Sequence, residues 1–390
     1  MSDGTSIEWT RGLDGRSGAT WNPVTGCWEL SPGCDNCYAK RFAERFRGVP
    51  GHPFEHGFDL QVRPDRLTEP FHWRRPRLVF VNSMSDLFHK DIPDEYIANV
   101  FAVMAATPQH IYQLLTKRHG RMRSLLSSPE FAAEVFRAGR MGGSGWSSDR
   151  TFVADTAEQW AENNWPLRNL WLGVSVENQR WADIRIPALL DTPAAVHWLS
   201  CEPLLGPVSI SRWLDQHGPW HYMQGGVLCA CGAPVDRNER CTGDQIDWVV
   251  VGGESGPGAR PMHPQWARRL RDECTEYRTP YFFKQWGAWG PAPWVVRVCD
   301  PKVGWQGTSE ELTAAKRAAE AAGATHTYAA WADQHDWFTI EAEHKPWSLE
   351  RQELSGDNHA PIRRWGKHRA GRELDGRTWD QYPSVAAVAP

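Results

Sequence analysis

The chain has 390 residues, a formal net charge of -4 at pH 7 and 23% charged residues, long enough for one large domain with insertions or for two domains. That balance gives no general electrostatic drive toward nucleic acid and leaves local basic clusters, such as Arg74-Arg75-Pro76-Arg77 and the stretch from Lys117 to Arg123, open as contacts or as solvated faces. Nine irregularly spaced cysteines do not form a secreted disulfide framework, and neither a signal peptide nor a bilayer-length apolar run is evident, so a reducing cytoplasm is expected.

Along the chain the first chemical signal is Cys27, Cys34 and Cys37, three thiols in a loop rich in Gly, Pro and Asn. A helical pattern follows from Tyr38 to Phe46. Three close thiols with no evident fourth suit an iron–sulfur cubane with one open iron, since such clusters are held by thiolates. A structural zinc site is the alternative; it needs a fourth ligand, for which His52 or His56 is available, and unligated thiols are a third reading.

Strand and helix patterns then alternate. Leu78–Val81 runs into Asn82-Ser83-Met84-Ser85-Asp86, and a helix opened by Pro93-Asp94-Glu95 continues to Met104. The run 110–115 ends at Thr116-Lys117-Arg118, and after a Gly/Ser-rich stretch at 142–148 the run 169–174 ends at Ser175-Val176-Glu177-Asn178. A helical segment over 181–190 precedes the strand 195–199, which leads to Ser200-Cys201-Glu202-Pro203. The run 246–251 ends at Gly252-Gly253-Glu254-Ser255-Gly256, a helix covers 265–277, and 280–283 ends at Lys284-Gln285.

Apolar strands without polar alternation, separated by helices, predict an α/β fold with a parallel sheet or barrel buried on both faces. Polar residues collect at the carboxyl end of strand after strand, the rim where (β/α) barrels build their sites. A dinucleotide-binding fold is disfavoured, because no strand is followed by Gly-x-Gly-x-x-Gly. Two stretches read as insertions. Residues 213–245 carry Cys229, Cys231 and Cys241, which with His217 or His221 suggest a zinc knuckle, an auxiliary cluster or free thiols. Residues 288–365 are Trp-rich, with a helix expected at 310–322. The 23 tryptophans exceed the needs of a core this size; a base-stacking platform and plain core filling are both open readings.

The three-thiol loop and the series of polar strand ends resemble the radical S-adenosylmethionine superfamily. The strings Trp21-Asn22-Pro23-Val24-Thr25-Gly26-Cys27, Pro32-Gly33-Cys34, Cys37-Tyr38-Ala39, Asn82-Ser83-Met84-Ser85-Asp86, Gly173-Val174-Ser175-Val176-Glu177, Cys201-Glu202-Pro203 and Gly252-Gly253-Glu254-Ser255-Gly256 are similar to the phage-associated three-Cys-motif family. The closing residues 371–380 fit it too. The chain departs from the superfamily pattern in having six residues, not three, between Cys27 and Cys34, and Asn36 instead of an aromatic residue before Cys37.

The resemblance implies a partial (β/α) barrel of the radical S-adenosylmethionine type over residues 1–287, interrupted near 213–245. The Trp-rich insertion, 288–365, and a closing segment, 366–390, would follow. It implies a 4Fe-4S cluster on Cys27, Cys34 and Cys37. S-adenosylmethionine would be chelated by the open iron and cleaved, with an electron from a flavodoxin or ferredoxin, to a 5′-deoxyadenosyl radical that abstracts hydrogen. Ser83, Ser85 and Asp86 would bind the methionine amine, Ser175, Glu177 and Asn178 the ribose, and Tyr38 the cofactor. Lys117 would meet a carboxylate or phosphate, Cys201 would quench a product radical, and Glu254 would face substrate. A nucleobase or nucleotide is one expected substrate class, and a peptide or small metabolite is the other. The competing expectation is a non-catalytic zinc- or cluster-stabilised module binding nucleic acid or protein through stacking and basic side chains.

Overall fold

In a computed structural model, the described residues are 17–141, 156–214, 245–291 and 366–383, with short pieces at 4–5, 7–11, 15, 152 and 154 and backbone strand segments at 221–223, 226–228, 295–297, 326–328, 337–341 and 359–364. Seven parallel strands form one sheet in chain order: β1 (Ala19–Trp21), β2 (Leu78–Val81), β3 (Ile111–Thr116), β4 (Leu170–Ser175), β5 (Val196–Cys201), β6 (Trp248–Gly252) and β7 (Tyr281–Gln285). The sheet curls into a half-barrel. Between its strands run α1 (Tyr38–Glu44), α2 (Asp94–Ala106), α3 (His119–Leu126), α4 (Pro129–Met141), α5 (Ala157–Asn164), α6 (Gln179–Leu190), the single turn α7 (Ser211–Leu214) and α8 (Pro264–Glu276).

Alternation along each strand divides the core in two. Val79, Val81, Leu114, Leu172, Val174, Leu199, Cys201, Val249, Val251 and Phe283 face the helices in one continuous apolar cluster. Their neighbours Phe80, Trp171, Trp198, Trp248, Val250 and Phe282 point to the concave side and close on Trp9. The Trp9 ring lies 4.6 Å from Phe80, 5.1 Å from Trp198 and 6.2 Å from Trp248. A single side chain can touch β2, β5 and β6 together only because the sheet wraps around it. The strands are therefore buried on both faces, as their uninterrupted apolar runs require.

The lower interior is thus a plug of edge-on and tilted aromatic rings, the arrangements that ring quadrupoles favour. Trp9, Trp21, Trp160, Trp171, Trp198 and Trp248 are core-filling residues. The tryptophans of 288–365 belong to a stretch of which the described backbone includes a three-stranded antiparallel sheet of Trp289–Pro291, His359–Arg364 and Trp337–Glu341. The helix expected at 310–322 lies outside the described residues.

The last described segment covers the edge of β7. Asp380 bridges Phe282 antiparallel, Phe283 N–H donates to the Trp379 carbonyl at 2.9 Å, and Tyr382 stacks on Trp248 at 5.4 Å. An edge that would otherwise offer unpaired backbone groups is occupied. Among the described residues no helix is long and apolar enough to cross a membrane.

Candidate functional site

Above the aromatic plug the interior becomes polar. Register carries Leu115 to Gly173 and Gly173 to Trp198, then Ser175 to Ser200 and Ser200 to Val250. Gly173 has no side chain because the Trp198 indole occupies its place; a Cβ there would sit 2.5 Å from the ring. One layer higher, the strand ends bring Lys117, Ser175, Glu202 and Lys284 to the mouth. Lys117 Nζ donates to Ser175 Oγ at 3.1 Å, and Lys284 pairs with Glu202 at 2.7 Å. Gln285 Nε2 donates to Glu202 and to Ser255 Oγ.

The loop bearing Cys27, Cys34 and Cys37 is tied to these strand ends by buried carboxylates. Ser31 Oγ donates to Glu177 Oε1 at 2.6 Å, and Asn36 Nδ2 donates to Glu254 Oε2 at 2.9 Å. Gly33 lets the loop settle on Glu177, since a Cβ at that position would stand 2.6 Å from Oε1. Arg260 completes the second tie, gripping Glu254 through Nε and Nη2 while Nη1 reaches Asp35 and Nη2 the Pro32 carbonyl. Burial pushes the Glu254 carboxyl up, but the hydrogen bonds from Arg260 and Asn36 outweigh it and leave its pKa below the ordinary value.

The thiols themselves are half-buried. Cys27 and Cys37 pack against the small cluster of Ala39, Ala43 and Phe58. Burial, with Asp86 nearby, raises the Cys27 thiol to about 11, against the pull of Arg118, whose Nη2 lies 3.9 Å from the sulfur and donates to the Trp28 carbonyl at 3.2 Å. Among the described residues no three His, Cys, Asp or Glu side chains are gathered as a metal site. The donor chemistry nonetheless fits a cluster. Three soft sulfurs share one short loop, Cys34 lies near enough to contribute to raising the Cys27 thiol, and the Arg118 guanidinium stands beside Cys27.

The other residues singled out from the sequence are distributed unevenly. Asp86 accepts from Thr116 Oγ1 at 2.7 Å, from Lys117 N–H at 3.0 Å and from Phe88 N–H at 3.1 Å, binding the β2 and β3 loops together. Ser85 Oγ donates to the Val24 carbonyl, Ser83 Oγ bonds the Asn22 carboxamide, and the exposed Tyr38 donates to the Ser83 carbonyl at 2.5 Å. Asn178 accepts from Trp181 N–H and caps α6. Glu177 has no exposure and pairs with the equally buried Arg185 at 2.8 Å, with Lys117 at 4.0 Å. Cys201 lies on the helix-facing side of β5 among apolar side chains, beside Cys274, where burial raises its thiol pKa. Cys229, Cys231, Cys241 and His217 lie outside the described residues, and for His221 only the strand backbone is described.

Sequence reasoning did not single out Ser31, Asn36, Asn82, Arg118, Arg185, Glu202, Arg260 or Lys284 as site residues. Glu202 and Lys284 carried the same signal as the others, a polar residue closing an apolar strand. Arg185 and Arg260 carried none, since each sits in a stretch of ordinary polar composition. No curated protein matches the chain. A family model described as a protein of unknown function (DUF5131) matches residues 4–383, almost the whole length, and the chain belongs to that family.

Proposed function

We propose that the protein is a radical S-adenosylmethionine-type enzyme, with Cys27, Cys34 and Cys37 as ligands of a 4Fe-4S cluster. The observation that carries this reading is the anchoring of one three-thiol loop, through Ser31–Glu177 and Asn36–Glu254, across the carboxyl-end mouth of a parallel half-barrel. When bound, the cluster supplies the low-potential electron that splits S-adenosylmethionine into methionine and a 5′-deoxyadenosyl radical able to take hydrogen from a substrate. The protein's part is to bind, orient and exclude water. Arg118 holds the Cys27 end of the loop, the Glu254–Arg260 clamp holds the Cys34 end, and the aromatic plug closes the interior beneath. Lys117 and Lys284, each beside a carboxylate, offer cationic hydrogen-bond donors at the mouth for a carboxylate or phosphate. A flavodoxin- or ferredoxin-type protein would deliver the electron.

Anaerobic reconstitution with iron and sulfide, followed by dithionite and S-adenosylmethionine, tests this directly. The expected result is a brown protein that forms 5′-deoxyadenosine, with both properties lost in Cys27→Ser, Cys34→Ser and Cys37→Ser. A colourless chain that retains zinc through dialysis and forms no 5′-deoxyadenosine would make it a zinc-stabilised binding module instead.

A further inference from the structure

Asn82 closes β2 one residue beyond Val81, and alternation from Phe80 places it on the concave side. It is 3% exposed, yet neither its Nδ2 nor its Oδ1 has a hydrogen-bond partner. Its backbone is fixed: the N–H donates to the Trp21 carbonyl at 2.8 Å, its own carbonyl accepts from Ser85, and φ is +59°, a conformation that asparagine tolerates better than most residues. A buried donor and acceptor left unpaired cost about 1–3 kcal/mol each. The register that carries Val81 to Leu114 and Leu115 to Gly173 and Trp198 sets Asn82 in the layer where polar mouth meets aromatic plug. On the same face a further donor and acceptor, Trp171 Nε1 and Gln113 Oε1, are buried without partners on residues in direct register.

We propose that this throat binds a nucleobase, with the Asn82 carboxamide reading its hydrogen-bonding edge. A carboxamide presents one donor beside one acceptor, and its complement is a group presenting acceptor beside donor, as the Watson–Crick edges of all four bases do. The Lys117 and Lys284 ammonium groups stand at the level where a sugar or phosphate would emerge. The proposal names a substrate class for the enzyme proposed above and rests on that reading only for what becomes of the base; the binding itself needs no cluster.

Calorimetric titration of the cluster-free chain with adenosine, cytidine, guanosine and uridine tests it. At least one of these nucleosides is expected to bind, and Asn82→Gly, which keeps the positive φ without strain, should weaken that binding by roughly 5- to 150-fold with no loss of thermal stability. Asn82→Asp, which exchanges the donor for an acceptor, should shift preference toward guanosine, whose N1–H and amino group are adjacent donors, and weaken the other nucleosides. The proposal is overturned if no nucleoside binds the wild type at millimolar concentration, or if Asn82→Gly binds as well as wild type. Competitive displacement of the nucleoside by S-adenosylhomocysteine would assign Asn82 to the cofactor's own adenine and also overturn it. Formation of 5′-deoxyadenosine by a chain that binds no nucleoside removes the substrate class and leaves the radical chemistry standing.

Discussion

Ser31 and Glu177 are 146 positions apart in sequence, and the hydroxyl of one donates to the carboxylate of the other at 2.6 Å. This contact brings the thiol loop down onto the end of β4. Replacing Ser31 with Ala leaves Glu177 Oε1 with only the distant Lys117 ammonium, at 4.0 Å. A hydrogen bond to a buried charge is worth about 1.5–3 kcal/mol. Ser31→Ala is therefore expected to lower the melting temperature and to reduce iron per chain after reconstitution. Unchanged iron retention would show that the loop holds its place without Glu177.

The Glu177–Arg185 pair has no exposure on either side, and Arg185 also stacks on Trp181 at 4.1 Å. Arg185→Met would leave a buried carboxylate with too little compensation, a change that costs about 3–5 kcal/mol. Glu177→Gln combined with Arg185→Met should recover much of that loss, because a neutral amide still accepts from Ser31. A double-mutant cycle by chemical denaturation measures the coupling. Additive effects would mean that the two side chains do not depend on each other.

Much of the scaffold was legible in the sequence. Apolar runs such as Leu78–Val81 and 246–251 gave six of the seven strands of the sheet, because strands buried on both faces have no polar alternation to blur them. The rim was legible for the same reason, since polar residues at strand ends stand out against apolar runs. The three-residue β1 was not, being too short to show a period. The choice between the faces of a strand end was harder still. Cys201 and Glu202 are adjacent, yet one faces the helices and the other the mouth, and only the register of β5 against β6 decides which. The long-range ties Ser31–Glu177 and Asn36–Glu254 depend on loop conformation and leave no local pattern.

From that register comes a prediction for Cys201. It packs in the helix-facing apolar cluster beside Cys274, on the opposite side of β5 from Trp198 and Ser200. Cys201→Ala should therefore form 5′-deoxyadenosine at the wild-type rate, with a modest stability loss from the lost sulfur contacts. A large fall in product formation per 5′-deoxyadenosine, once a substrate is in hand, would mean that Cys201 quenches the product radical.

Gly173→Ala should disturb the throat more than any conservative change at the surface. The added methyl would stand 2.5 Å from the Trp198 indole, and that ring is held by its Nε1–H donating to the Trp171 carbonyl at 3.2 Å and by packing on Trp9 and Trp248. Overpacking of this kind costs about 1–3 kcal/mol. The expected readouts are a lower melting temperature and altered near-ultraviolet circular dichroism from displaced indoles. An unchanged aromatic spectrum would mean that Trp198 has room to shift.

Acid should destabilise the fold through histidines held neutral. Burial lowers the pKa of His89, His110 and His119. At His89 the neighbouring Arg118 lowers it further, while Asp91 and Asp86 pull the other way; His89 Nδ1 accepts from Asp91 N–H, the role of a neutral ring. The folded pKa values lie below that of the unfolded chain, about 6.5. Below that pH the unfolded chain takes up protons that the folded chain does not. Stability is then constant above about pH 6.5 and falls as pH drops, by at most about 1.4 kcal/mol per pH unit for each histidine. Melting temperature measured from pH 7.5 to 5.5 should decline on the acid side, before carboxylates such as Glu254, whose pKa is lowered, begin to protonate. A melting temperature that holds constant or rises over that range would mean that these rings are protonated in the folded protein.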